Sequence, residues 1–184
     1  MSAPSLERLN YVGGRLAINP TDLSTAWPHG GTGLGLVRDA AAKVKTYAHA
    51  ILEEPWGGEP SEVVHGGESV TFVAILRTWD ADALGLVYPA GSTGATTGER
   101  VVSYPGSFLA GAGLYGSAVK LLFTPTDQEN HPAALFYSAM AVLADDVELA
   151  YQLDKENETA ARFVCARDGS ARVYALGRLR DLSL

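Results

Sequence analysis

The stretch Trp27-Pro28-His29-Gly30-Gly31-Thr32-Gly33-Leu34-Gly35 places four glycines within six residues, a density that invites comparison with a phosphate cradle. Such a cradle works through backbone N–H groups aimed at the anion from the start of a helix, usually behind a buried strand. The neighbours it needs are missing. A P-loop requires Lys and then Ser or Thr after the last glycine, whereas Gly33 is followed by Leu34, Gly35, Leu36 and Val37. A dinucleotide fingerprint fails too: Gly31-x-Gly33 has Leu36 where the third glycine belongs, and Pro28 stands where the leading strand should end. The segment is therefore read as a flexible or closely packed surface stretch leading into a strand over residues 34–39.

Other residues with chemical capacity resolve in the same direction. Asp127, Glu129 and His131 in "TDQENHP" could offer oxygen and nitrogen ligands, but their spacing matches no ligand motif, and acids and amides before a proline compose a turn. Of the four histidines, His29 and His65 adjoin glycine pairs and His49 lies in an alternating segment. None has a serine or carboxylate at a diagnostic offset. Gly106-Ser107 and Gly116-Ser117 lack the Gly-x-Ser-x-Gly elbow of a serine hydrolase. Asp145-Asp146 could serve glycoside hydrolysis only with partners from other loops, and adjacent acids before a strand read as a solvated turn. Trp27, Trp56 and Trp79 sit at strand or loop junctions, where a large aromatic seals a core. No catalytic, cofactor-binding or metal-binding residue is assigned.

The elements that would position any site follow from composition. A chain of 184 residues, 47% hydrophobic and 19% charged, suits one domain with a real core. The single Cys165 excludes an intrachain disulfide framework and a cysteine zinc cluster; in "ARFVCARD" it alternates with Phe163 and Ala161 toward a sheet interior. No apolar run approaches the roughly 20 residues of a membrane helix, and Met1-Ser2-Ala3-Pro4 does not open a signal peptide, so a cytoplasmic site of synthesis is expected. The net charge of −7 argues against a protein that grips nucleic acid by neutralising phosphates.

Short alternating segments punctuated by Gly, Pro, Asp and Asn predict a mainly β domain. A first strand runs from Gly14 to a stop at Pro20. The alanines of "AAAKVKTYAHAILEEPWGG" favour helix, but Val44, Thr46, Ala48, Ala50 and Leu52 alternate with Lys45, Tyr47, His49, Ile51 and Glu53, and the segment is assigned to strand. "SEVVHGGESVTFVAILRTWD" reads as a hairpin turning at His65-Gly66-Gly67-Glu68, with Val70, Phe72, Ala74 and Leu76 on one face. Asp80 can cap a short helix, "DADALGLVY", stopped by Pro89. The small, polar "AGSTGATTGER" that follows predicts a mobile loop over residues 90–99. Strands are expected in "AVKLLFTP", "HPAALFYSAMAVLA", "DVELAYQLD" and "TAARFVCARDGSARVYALGRL", the last a closing hairpin turning at Asp168-Gly169.

In this order of pieces the chain resembles the tail tube proteins of long-tailed bacteriophages. The resemblance is carried by "GRLAINP", "EVVHGGESVTFVAILRTWD", "DADALGLVYP", "AGSTGATTGER", "VKLLFTPTDQENHPAALFYSAMA" and "ETAARFVCARDGSARVYALG", and covers most of the chain from about Gly14 onward. It lies in layout, not in a catalytic signature. It implies one domain over residues 1–184 with an N-terminal arm over 1–13, built as two packed antiparallel β-sheets, sandwich or barrel, with one short flanking α-helix. It further implies protomers that join neighbouring strands into a homohexameric ring with a continuous inner β-barrel. The rings would stack into the hollow tube of a virion tail, through which DNA passes without specific binding, or cap that tube as a neck or completion ring. Partners would then be further copies, other tail or neck proteins, and no membrane. Related rings occur in secretion systems.

The loop residues Gly91, Ser92, Thr93, Gly94, Thr96, Thr97, Gly98 and Glu99 are the expected inter-subunit contacts. An acidic lumen would suit a DNA conduit, repelling the duplex over about 10 Å at moderate salt. The competing reading from the residues alone is a monomeric β-sandwich that binds a ligand through its loops.

Overall fold

The computed structural model describes residues 13–52, 60–77, 92–93, 102–103, 114–142 and 158–184. Nine strands occur among them: β1 (Gly14–Ile18), β2 (Thr32–Leu52), β3 (Pro60–Leu76), β4 (Ser92–Thr93), β5 (Val102–Ser103), β6 (Val119–Pro125), β7 (Ala133–Val142), β8 (Thr159–Cys165) and β9 (Tyr174–Gly177). The fold is mainly β, as the alternation requires. The described helical segments are two 3-10 turns, Tyr115–Ser117 and Leu179–Asp181; the helix expected in "DADALGLVY" lies outside the described residues, as do the strand in "DVELAYQLD" and residues 1–12 of the arm expected over 1–13.

Of the two arrangements expected, sandwich or barrel, the described residues form the barrel, made by the 7-stranded sheet, while β4 and β5 pair separately. The order β1-β2-β3-β8-β7-β6 is antiparallel throughout, and β6 returns to β1 through Gly14↔Pro125 and Ile18↔Leu121, completing a six-stranded barrel. β9 lies on the edge of β7 outside that circuit. Closure removes the edge strands that two open sheets would leave.

The barrel interior is filled. Phe72 lies 5.9 Å from Phe123, 5.0 Å from Phe136 and 6.4 Å from Phe163, ring centroid to ring centroid, at tilts of 41–48°. Leu16, Ile18, Leu34, Val70, Leu76, Leu121 and Ala161 complete the same core. Val70, Phe72, Ala74 and Leu76 share the inward face that their alternation predicts.

Bulges decide where alternation fails. On β2 the inward residues are Leu34, Val37 and Ala40, three apart, because the register slips between Gly33 and Gly35 against β1 and between Val37 and Ala40 against β3. Each slip inserts an extra residue, turning the strand by one position. This joins the expected strand over residues 34–39 and the alanine-rich segment into one 21-residue strand.

The same device overturns the turn expected at His65-Gly66-Gly67-Glu68. β3 runs straight through it, with Tyr47 opposite Gly67 and Ala48 opposite His65. Gly66 is the extra residue, and Gly67 has φ +119, a conformation that side chains resist. The glycines interrupt the alternation of β3 without reversing its direction; β2 and β3 form one long hairpin whose connection lies outside the described residues.

The closing hairpin at Asp168-Gly169 is also corrected. Ala166 donates its N–H to Ser138 O at 2.8 Å, and Tyr137 donates to Val173 O at 3.0 Å, so adjacent residues of β7 hold Ala166 and Val173. β8 and β9 are thus collinear along β7, and residues 167–172 form a loop thrown out from a single step of the ladder. β7 is longer than its pairing with β8 and offers the rest of that edge to β9, so the chain continues forward instead of folding back.

A second apolar layer covers part of the barrel's outside. Leu122, Leu135 and Tyr137 point outward, yet are 0%, 0% and 8% exposed, beneath Leu23, Ala175, Leu179, Leu182 and Leu184. The Tyr137 hydroxyl donates to Ser183 O at 3.0 Å.

Phe72→Ala should destabilise the domain by about 3–5 kcal/mol, since it empties the centre of the aromatic cluster. Urea unfolding followed by tryptophan fluorescence measures this; a loss below about 1 kcal/mol would refute a rigidly packed interior.

Candidate assembly surface

The glycine-rich stretch at residues 27–35 is closely packed. An added Cβ at Gly33 would overlap the ring of Trp27, which lies across the strand at that point, so only glycine permits the contact. The Arg15 guanidinium covers the same indole at 5.5 Å from the ring centroid. His29 is buried and its Nδ1 is 2.8 Å from Thr25 O, while its backbone O accepts from the N–H groups of Thr21 and Asp22. Within the stretch itself, Gly31 N–H donates to Pro28 O at 3.1 Å and is turned into the loop.

The acidic "TDQENHP" segment is a turn closed on itself. Asp127 accepts from Glu129 N and Asn130 N, each at 3.2 Å, and from Asn130 Nδ2 at 2.8 Å. The Asn130 side chain, foremost, holds the Asp127 carboxyl below its ordinary range. Among the described residues no group of three His, Cys, Asp or Glu side chains converges on a common point.

Asp168 organises the loop at residues 167–172. Its Oδ1 accepts from Ser170 N at 2.9 Å and Arg172 N at 2.7 Å, and its Oδ2 accepts from Arg172 Nε at 2.9 Å. Desolvation raises its pKa, but the hydrogen bonds from Arg172 and Ser170 outweigh that and leave it below the usual carboxylate range. Whatever this contributes to the fold is present above about pH 4 and lost as pH falls through the lowered value. Arg172 also stacks on the Tyr137 ring, 3.9 Å from its centroid.

What remains open on the described surface is strand edge. β1 covers β2 only as far as Val37, and β8 covers β3 only from Val70 onward. Beyond those points β2 and β3 pair with each other alone among the described residues, forming a two-stranded arm. Val44 and Tyr47 on it are 40% and 43% exposed, and Lys43, Lys45, His65, Glu68 and Ser69 are exposed as well. Lys45 Nζ sits 5.1 Å from the Tyr47 ring centroid. Two antiparallel strands whose outer edges no described strand takes up form a pairing template.

Of the expected contact residues, Ser92 and Thr93 form β4, opposite Ser103 and Val102 of β5. Gly91, Gly94, Thr96, Thr97, Gly98 and Glu99 lie outside the described residues. Sequence reasoning missed the arm because it placed a turn at Gly66-Gly67. The signal was present in the matched alternation on either side of those glycines. It also missed the C-terminal leucines, whose i, i+3 spacing at Leu179 and Leu182 is too short a pattern to distinguish.

Cys165 faces the core beside Phe163, as its alternation predicts, and burial pushes its thiol up to about 12.

No family profile matches the chain, and no curated protein does. A solved structure described as the crystal structure of Hcp protein is similar over 90% of this chain and 98% of that one, at 12% identity and a TM-score of 0.30. Among the described residues no helix is long and apolar enough to cross a membrane.

A thiol reagent at pH 8 should modify native Cys165 only as fast as the chain opens, and at once in denaturant. Between about pH 9 and 12 stability should fall, because the unfolded thiol ionises first. Immediate stoichiometric labelling of the native chain would contradict the burial.

Proposed function

We propose that this protein is a structural subunit that closes into rings, which stack into or cap the hollow tail tube of a bacteriophage. The observation that carries the proposal is the arm: a long stretch of ordered strand whose outer edges no described residue takes up, attached to a barrel with no such edge of its own. A monomer gains nothing from such a template and risks aggregation by it. Symmetric association converts it into an interface.

The filled interior supports a further point. Four phenylalanines occupy the middle of the barrel, so a conduit cannot run through one chain. A lumen would have to form between copies, which is what the ring of the resembling family provides. The net charge of −7 suits a wall that passes DNA without holding it. On this reading the chain acts without catalysis or a bound cofactor, is assembled in the host cytoplasm and resides in the virion tail, with six copies to a ring. A neck or completion ring would use the same subunit architecture and differ in having one face without an identical neighbour.

Size-exclusion chromatography with light scattering, followed by negative-stain imaging, tests the reading. Rings or tubes of uniform diameter are expected, and persistence in excess chelator. Compact monomers at all concentrations would overturn it in favour of a ligand-binding module. Replacing residues 91–98 by a tight turn should leave native circular dichroism while weakening stacking; undiminished tubes would remove the loop from the interface and favour a terminal ring.

A further inference from the structure

We infer that the outer edge of β9 is a strand-acceptor site, and that its occupant is the β2–β3 arm of a second copy. This rests on the ring reading and names the surfaces through which one copy would meet the next.

The register defines the acceptor. Tyr137 donates to Val173 O, so the residues of β9 in phase with Val173, namely Ala175 and Gly177, turn their backbone groups toward β7. Tyr174 and Leu176 therefore present N–H and C=O on the opposite edge. No described strand pairs with that edge.

The chain's own arm does not reach it. β3 follows β8 only to Val70↔Cys165, and the loop at residues 167–172 intervenes before β9 begins. That loop is fastened by Asp168 and Arg172, so the split between β3 and β9 is built in.

The side chains at the split are apolar. Val173, Tyr174 and Leu176 are only partly buried against the main core, with Tyr174 6.4 Å from Phe136, ring centroid to ring centroid. An added strand would supply backbone partners to Tyr174 and Leu176 and cover this flank of the core together.

The arm is the matching donor within the same chain. It carries strand backbone beyond its ladder with β1, an unpaired β2 edge among the described residues, and the exposed Tyr47. Donor and acceptor are different surfaces, so each copy gives one arm and receives another. Such a contact is heterologous, and closes into a ring when its rotation divides the circle. The bonds gained are main-chain, with specificity left to the few side chains beside them.

Two measurements test this. Leu176→Pro deletes the N–H that faces away from β7 and leaves the β7 ladder bonds of Ala175 and Gly177 available, whereas Leu176→Ala trims the side chain and keeps the N–H. The proline variant should need roughly tenfold or more protein to assemble than the alanine variant, the loss of about one backbone hydrogen bond or more. Circular dichroism checks that both fold.

The second measurement uses a Cys165→Ala background in which one population carries Lys45→Cys, Thr46→Cys or Tyr47→Cys and another carries Leu176→Cys. Mixed and oxidised, they should yield a disulfide-linked heterodimer in preference to either homodimer. Equal assembly of the proline and alanine variants, or rings without heterodimer, would refute the β9 acceptor and leave the ring reading standing. Failure of the unsubstituted chain to form any oligomer would end both.

Discussion

The ladder between β1 and β6 is the contact on which the rest of the molecule depends. It is short, Gly14–Ile18 against Leu121–Pro125, yet it turns an open sheet into a barrel and encloses Phe72, Phe123, Phe136 and Phe163 in one space. An added Cβ at Gly14 would meet Thr124 O and the Phe123 ring, so the backbone approach at the seam leaves no room for a side chain there. Without the seam, inward faces on both sides would be open to water, and burial of those faces is the main favourable term for a domain this size.

Closure also determines what stays outside. Strands no longer than the barrel is tall have both edges satisfied by neighbours. β2 and β3 are 21 and 17 residues long, far more than the seven or fewer that β1, β6 and β8 contribute, so their surplus must leave the barrel as a paired arm. β7 exceeds its pairing with β8, and its surplus recruits β9. Mismatched strand length is therefore the physical origin of both edges that no described strand covers.

The bulges keep the long strands compatible with the core. Each extra residue resets which side chains face inward, and slips at Leu34, at Arg38-Asp39 and at Gly66 let β2 and β3 serve the barrel at one end and the arm at the other. Arg38 sits at the second of these, and its guanidinium bonds Asp39 at 2.6 Å and Glu158 at 2.6 and 2.7 Å, tying the kink to the start of β8. These groups are exposed, so the pairs orient the strand more than they stabilise it.

Local chemistry alone determined much of this protein. Alternation identified Val70, Phe72, Ala74 and Leu76 as one buried face and Cys165 as a core residue beside Phe163, because side-chain period is a property of the strand itself. The missing neighbours of the glycine stretch favoured a closely packed segment over a phosphate loop, and Gly33 packs against the Trp27 ring. Tertiary structure alone decided direction and pairing. Gly66-Gly67 and Asp168-Gly169 carry the same turn signal in sequence, yet the first is a bulge in an unbroken strand and the second a loop between collinear strands. Which outcome follows depends on the edge offered by a distant strand, β2 in one case and β7 in the other, and no local propensity encodes that.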